Sequence, residues 1–130
     1  MKHLLTIATL MLLLLPQSLR AQSNKGSGLT AIAFQELSHN FGTMEQGSAK
    51  VSYEFYFTND GEGPLIITRT ENSCRCISVT APKRPIKPGG SGVITVTFDP
   101  KDKGVFNKAI EVYANIAGRR ITLLVTGEVK

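Results

Sequence analysis

What most limits the fold of this 130-residue chain is a hydrophobic alternation of period two that returns repeatedly after residue 30, while no window sustains the i, i+3, i+4, i+7 spacing of an amphipathic helix. The clearest case is Val51-Ser52-Tyr53-Glu54-Phe55-Tyr56-Phe57-Thr58, where Val51, Tyr53, Phe55 and Phe57 share one face and Ser52, Glu54 and Thr58 share the other. Side chains that alternate in this way make a half-buried strand. Val93 to Phe98 repeats the pattern with Ile94, Val96 and Phe98 inward. A long strand is expected from Phe106 to about Ile116, with Ile110, Val112, Ala114 and Ile116 inward, and a last strand carries Ile121, Leu123 and Val125. Weaker strands are read at Ala33 to Leu37, Leu65 to Thr68 and Ile77 to Val79. The connections gather turn formers: Asn59-Asp60-Gly61-Glu62-Gly63-Pro64, the breaker-rich Lys83 to Gly92, Asp99-Pro100, and Gly118.

About seven short strands with turn signals between them predict an all-β protein, an immunoglobulin-like two-sheet antiparallel sandwich. A small closed barrel is the competing architecture. An antibody-type domain is disfavoured, because the chain has no Trp and its two cysteines are not widely spaced.

The first residues bear on the compartment. Met1-Lys2-His3 leads into an apolar block from Leu4 to Leu15, followed by Pro16 and a polar segment ending Leu19-Arg20-Ala21-Gln22. A basic start, a short apolar run and a small residue before the cut are the parts of a secretory signal peptide. A membrane span needs roughly 20 apolar residues, so an uncleaved anchor is the weaker reading. Cleavage is expected between Ala21 and Gln22, which makes residues 1–21 a signal peptide, 22–30 a polar, flexible lead, and 31–130 one domain. The destination is exported, either periplasmic or secreted.

Cleavage removes Lys2 and Arg20, leaving 13 basic against 10 acidic residues and a mild net charge of about +3. Scattered Lys and Arg make no nucleic-acid footprint. Two cysteines are too few for a disulfide framework, so ordinary burial must hold the domain.

In this order, His39-Asn40-Phe41-Gly42-Thr43, Gly47, a Phe/Tyr strand into Thr58-Asn59-Asp60-Gly61, Pro64-Leu65-Ile66-Ile67, Ser73-Cys74-Arg75-Cys76, Ile86 to Gly92, and Val96-Thr97-Phe98-Asp99-Pro100 form a recognisable series. The chain resembles the bacterial family of unknown function numbered 1573, over roughly Phe34 to Val129. The resemblance implies an exported immunoglobulin-like sandwich related to the major-sperm-protein and PapD-like group, whose members mostly bind other proteins. It implies no activity, and no cofactor is expected. In one respect the chain departs from that family, which usually has Cys-Gly-Cys followed by Thr where this sequence has Arg75 and Ile77. A glycine adopts backbone angles that cost an arginine, which sets the bend at Arg75 in question.

The Cys74/Cys76 pair supports three readings. Along a regular strand the two α-carbons stand about 6.6 Å apart, two rises of roughly 3.3 Å. Disulfides commonly need about 5.5 to 6 Å and reach to about 6.8 Å, so a bridge calls for a bend. The pair is thus a structural bridge or small buried pair, a redox thiol site favoured by Arg75 and Arg69, or a soft-metal site for copper or zinc. The metal reading has His39 as its one histidine after cleavage. More simply, His39 sits at a strand end and bonds the backbone. No triad or phosphate-loop motif accompanies these residues, so no catalytic residue is assigned and the chain is read as a non-enzyme. Partner-binding candidates are Arg75, Tyr56 and Tyr113, the two tyrosines falling on the outward parity of strong strands. The expected function is an exported interaction or structural domain that meets a protein or cell-envelope component through an edge strand or sheet face.

Overall fold

The computed structural model describes residues 30–130, so the signal peptide read at 1–21 and nearly all of the lead lie outside the described residues. Eight strands follow in order: β1 (Ile32–Phe34), β2 (Ser38–Met44), β3 (Val51–Asn59), β4 (Ile67–Asn72), β5 (Ile77–Thr80), β6 (Ser91–Phe98), β7 (Gly104–Ala114) and β8 (Arg120–Val129). They form two four-stranded sheets of order β1-β3-β6-β5 and β2-β8-β7-β4. All pairings are antiparallel except β2 with β8, which run parallel.

The alternation explains the sandwich. Phe55 and Phe57 of β3 and Ile94, Val96 and Phe98 of β6 are buried against Ile110, Val112 and Ala114 of β7 and Leu123 and Val125 of β8. Phe98 and Phe106 stack across the sheets with ring centroids 4.0 Å apart. Burying each such side chain contributes roughly 1.5–3 kcal/mol, enough for one core to hold the domain without distant cross-links.

Several features differ from the sequence reading, among them the strand expected from Phe106 to about Ile116, which runs Gly104–Ala114. The strand expected at Ala33 to Leu37 ends at Phe34, and Gln35-Glu36-Leu37 carries the chain over to the other sheet. The additional strand is β2, whose alternation is broken by a bulge: its register against β8 slips between Asn40 and Thr43. Gly42 takes φ 76° there, and its N–H donates to Asn40 Oδ1. Leu65 does not join β4. It is fully buried and exchanges backbone hydrogen bonds of 2.8 Å with Ile86, pinning the proline-rich loop to the core. Among the described residues no helix is long and apolar enough to cross a membrane.

Candidate functional site

β4 and β5 are the edge strands of opposite sheets, and the short connection between them holds both cysteines. Asn72 Oδ1 accepts from the Cys74 N–H (3.1 Å), and the Ile77 N–H donates to the Cys74 carbonyl (3.1 Å), closing a turn over Cys74–Ile77. This bend brings the two α-carbons to 5.1 Å, against the 6.6 Å of an extended strand, and the sulfurs are joined. The backbone conflict expected at Arg75 does not arise. Among the described residues Arg119 is the only non-glycine with positive φ, so the turn at Arg75 uses angles open to any residue.

The bridge closes a three-residue loop. In the chain-entropy account such a loop stabilises by about 1.6 kcal/mol, against about 4.7 for a 100-residue loop, so the bond is a weak staple. Both cysteines are half-buried against the core and line a cavity of about 160 Å³ floored by Phe98 and Phe106. Asp99, Asp102, Lys103 and Lys108 also line it, and Asp99 is paired with Lys101 at 3.3 Å. Arg75 is exposed.

A second feature sits at the opposite end of the first sheet. β1 pairs with β3 only from Phe57 to Asn59, and the last bond of the series runs from the Gln35 N–H to the Tyr56 carbonyl. Asp60 N–H likewise donates to the Ala31 carbonyl. Even-numbered residues therefore turn their backbone groups toward β1, and odd-numbered ones toward β6. Ser52 and Glu54 are the next even positions, and no strand among the described residues lies beside them. An open groove of about 600 Å³ runs there, lined by Ser52 to Tyr56 with Gln35, Glu36 and Thr95.

Two phenol–carboxylate pairs border this groove. The Tyr53 hydroxyl donates to Glu36, and the Tyr56 hydroxyl donates to Glu54. Each bond holds its phenol above the ordinary value of 10.0, the hydrogen bond being the main cause and the carboxylate's charge adding to it. The phenols stay donors, and the carboxylates keep lone pairs and negative charge for a cation. Sequence reasoning singled out Tyr56 but passed over Glu36, Tyr53 and Glu54. The shared parity of Glu54 and Tyr56 was a legible signal, whereas the approach of Glu36 depends on where β1 stops.

The remaining candidates are dispersed. His39 stacks on Tyr53 at 3.6 Å between ring centroids and meets Phe41 edge-on at 4.8 Å, an aromatic contact between the sheets. Among the described residues no three of His, Cys, Asp and Glu come together as a metal-ligand set. Tyr113 lies on the outer face of the other sheet, with the Arg69 guanidinium 3.7 Å above its ring and Arg120 Nη1 donating to its hydroxyl. Arg69 also bonds Glu71 at 2.9 Å, which lowers the Glu71 carboxyl below 4.5 and raises Arg69. The structure thus groups Tyr56 with the groove and separates it from Tyr113 and Arg75.

Comparison of the sequence with curated proteins finds no match. Among solved structures the chain is similar to a protein of unknown function from Porphyromonas gingivalis W83 (TM-score 0.65, 18% identity, 78% of this chain and 47% of that one). It is also similar to the Vibrio cholerae VesB protease (TM-score 0.62, 21% identity, 76% of this chain and 31% of that one). A third likeness is to the ASH/PapD-like domain 7 of human CEP192 (TM-score 0.59, 12% identity, 76% of this chain and 84% of that one). The chain therefore spans less than half the length of the first two. At these identities the likenesses show the fold, an immunoglobulin-like sandwich of PapD-like kind. The family model described as "Protein of unknown function (DUF1573)" matches residues 32–129, and the chain belongs to that family.

Proposed function

We propose that this protein is an exported, non-enzymatic interaction domain that binds an extended segment of a protein partner by strand addition to the open half of β3. The observation that carries the reading is that, among the described residues, no strand pairs with the outward backbone groups of Ser52 and Glu54, which lie beside an open groove. An unpaired edge templates another strand, and main-chain hydrogen bonds supply the affinity.

The other edges are less suited. β4 carries the charged pair Arg69–Glu71 and a register irregularity between Ile67 and Arg69, β2 carries the Gly42 bulge, and β5 has only four residues. Charges, bulges and shortness blunt an edge against pairing. Glu36 and Glu54 at the groove favour a segment with Lys or Arg side chains. Export is supported by the Met1 to Ala21 pattern. The Cys74–Cys76 turn lies at the β5 end of the same sheet, so thiol chemistry there does not compete with binding at β3.

The test is recovery of partners from the native envelope with wild type, Glu54→Pro and Cys74→Ser/Cys76→Ser. Proline at 54 removes an N–H aimed at the open side and leaves the β6 ladder intact, a position at which edge strands tolerate it. A partner held by wild type and the serine variant but lost by Glu54→Pro supports the reading. Equal recovery with folded Glu54→Pro contradicts it.

A further inference from the structure

The Cys74–Cys76 bridge adds little that the fold lacks. Its turn is already closed by the Ile77 N–H on the Cys74 carbonyl and the Asn72 side chain on the Cys74 N–H, and it spans one residue rather than joining distant elements. Nor is it sealed in the core: both cysteines are half-buried at a cavity whose wall carries Lys103 and Lys108 together with Asp102 and Asp99, the last already paired with Lys101. Arg75, between them, is exposed. A bond that staples weakly and borders a cavity is suited to chemistry, and Lys103, Lys108 and the exposed Arg75 offset Asp102 for an incoming thiolate.

The bridge is also polar. The Cys76 backbone N–H donates to Cys74 Sγ at 3.2 Å. In thiol–disulfide exchange the incoming thiolate bonds to one sulfur while the other departs with the electron pair, and the better leaving sulfur is the one whose anion is stabilised. A donor held against Cys74 Sγ stabilises that anion.

We propose that Cys74–Cys76 is a thiol–disulfide exchange site at which an external thiol is accepted on Cys76 and Cys74 is released. In the first step the external thiolate forms a bond to Cys76 Sγ, the Cys74–Cys76 bond breaks, and its electron pair goes to Cys74 as a thiolate held by the Cys76 N–H. In the second step another thiolate bonds to the external sulfur of that mixed disulfide, and Cys76 departs as a thiolate. The two electrons that reduce the bridge come from the two external thiols, which end as their own disulfide. Protons from solvent balance the cysteine thiolates according to pH.

The test treats the native protein with glutathione and quenches with N-ethylmaleimide, then maps the singly glutathionylated species by peptide mass spectrometry. Glutathione on Cys76 with maleimide on Cys74 is the expected product, in several-fold excess over the reverse arrangement. Glutathione chiefly on Cys74, or no reaction until denaturant is added, overturns the proposal. A second measurement follows alkylation rate against pH in Cys76→Ser and in Cys74→Ser. The Cys74 thiol in the first should reach half its maximal rate at a lower pH than the Cys76 thiol in the second, and coincident profiles overturn the assignment of the leaving group.

Discussion

Asn59 is the buried polar residue on which the loops at one end of the sandwich depend, and Asn59→Ala is expected to be severe. Its side chain is 1% exposed and makes four hydrogen bonds. Oδ1 accepts from Thr30 Oγ1 and the Gly61 N–H, both at 2.9 Å, while Nδ2 donates to the Gly63 carbonyl (2.7 Å) and the Ile86 carbonyl (2.8 Å). At about 0.5–1.5 kcal/mol net for each bond, the loss comes to about 4 kcal/mol, since alanine leaves no group to replace them. That is a large part of the 5–15 kcal/mol typical of a domain, and at about 4–8 °C per kcal/mol it lowers Tm by roughly 15 °C or more. Urea unfolding followed by far-ultraviolet circular dichroism measures it, with the midpoint falling and the slope unchanged. Thr30→Val removes one partner and is expected to cost about 1 kcal/mol, and the double variant should lose less than the two singles together. A loss below about 1 kcal/mol for Asn59→Ala would refute the account of this residue as the tie between loops.

Gly127→Ala should destabilise by about 1–3 kcal/mol in the same assay. Its new methyl would stand 2.5 Å from Phe106 Cζ and 2.9 Å from the Gly42 carbonyl oxygen, and the second is backbone that cannot swing aside. Cys74→Ser/Cys76→Ser should keep a native circular dichroism spectrum and lose no more than about 1.6 kcal/mol, the stabilisation available from so short a loop. Acid unfolding should report on Glu71, whose carboxyl is held below 4.5 chiefly by its hydrogen bond with Arg69. A depressed carboxyl contributes stability that is present above its unfolded value and lost as pH falls through the folded one. The stability gap between wild type and Glu71→Gln should therefore be full at neutral pH and close as pH drops below about 4.

The sandwich was readable because β3, β6, β7 and β8 bury one face each, and residues such as Phe55, Ile94, Val112 and Leu123 announce that face by alternation. β2 was not, since Gly42 and its bulge break the period, and the strand owes its existence to parallel pairing with β8. Leu65 shows a related limit: three apolar residues in a row do not say which belongs to a ladder, and Leu65 is spent on an isolated bridge to Ile86. At Arg75 the comparison with a glycine suggested a backbone conflict that a turn with ordinary φ removes. The outward parity of Glu54 and Tyr56 was plain in the sequence. That β1 stops at Phe34, leaving Ser52 and Glu54 without a strand beside them among the described residues, is a property of pairing between distant segments, which local pattern does not encode.

Residue-resolved amide hydrogen exchange along β3 tests the central claim most directly. In the free protein the Ser52 and Glu54 amides face the groove and should exchange fast, while those of Tyr53 and Phe55, aimed at Val96 and Ile94 of β6, should be protected, an alternation of period two. On binding an extended partner segment, Ser52 and Glu54 should become protected as well. Protection of all four amides alike in the free protein, or fast exchange at Ser52 and Glu54 that a bound partner leaves unchanged, would contradict strand addition at β3.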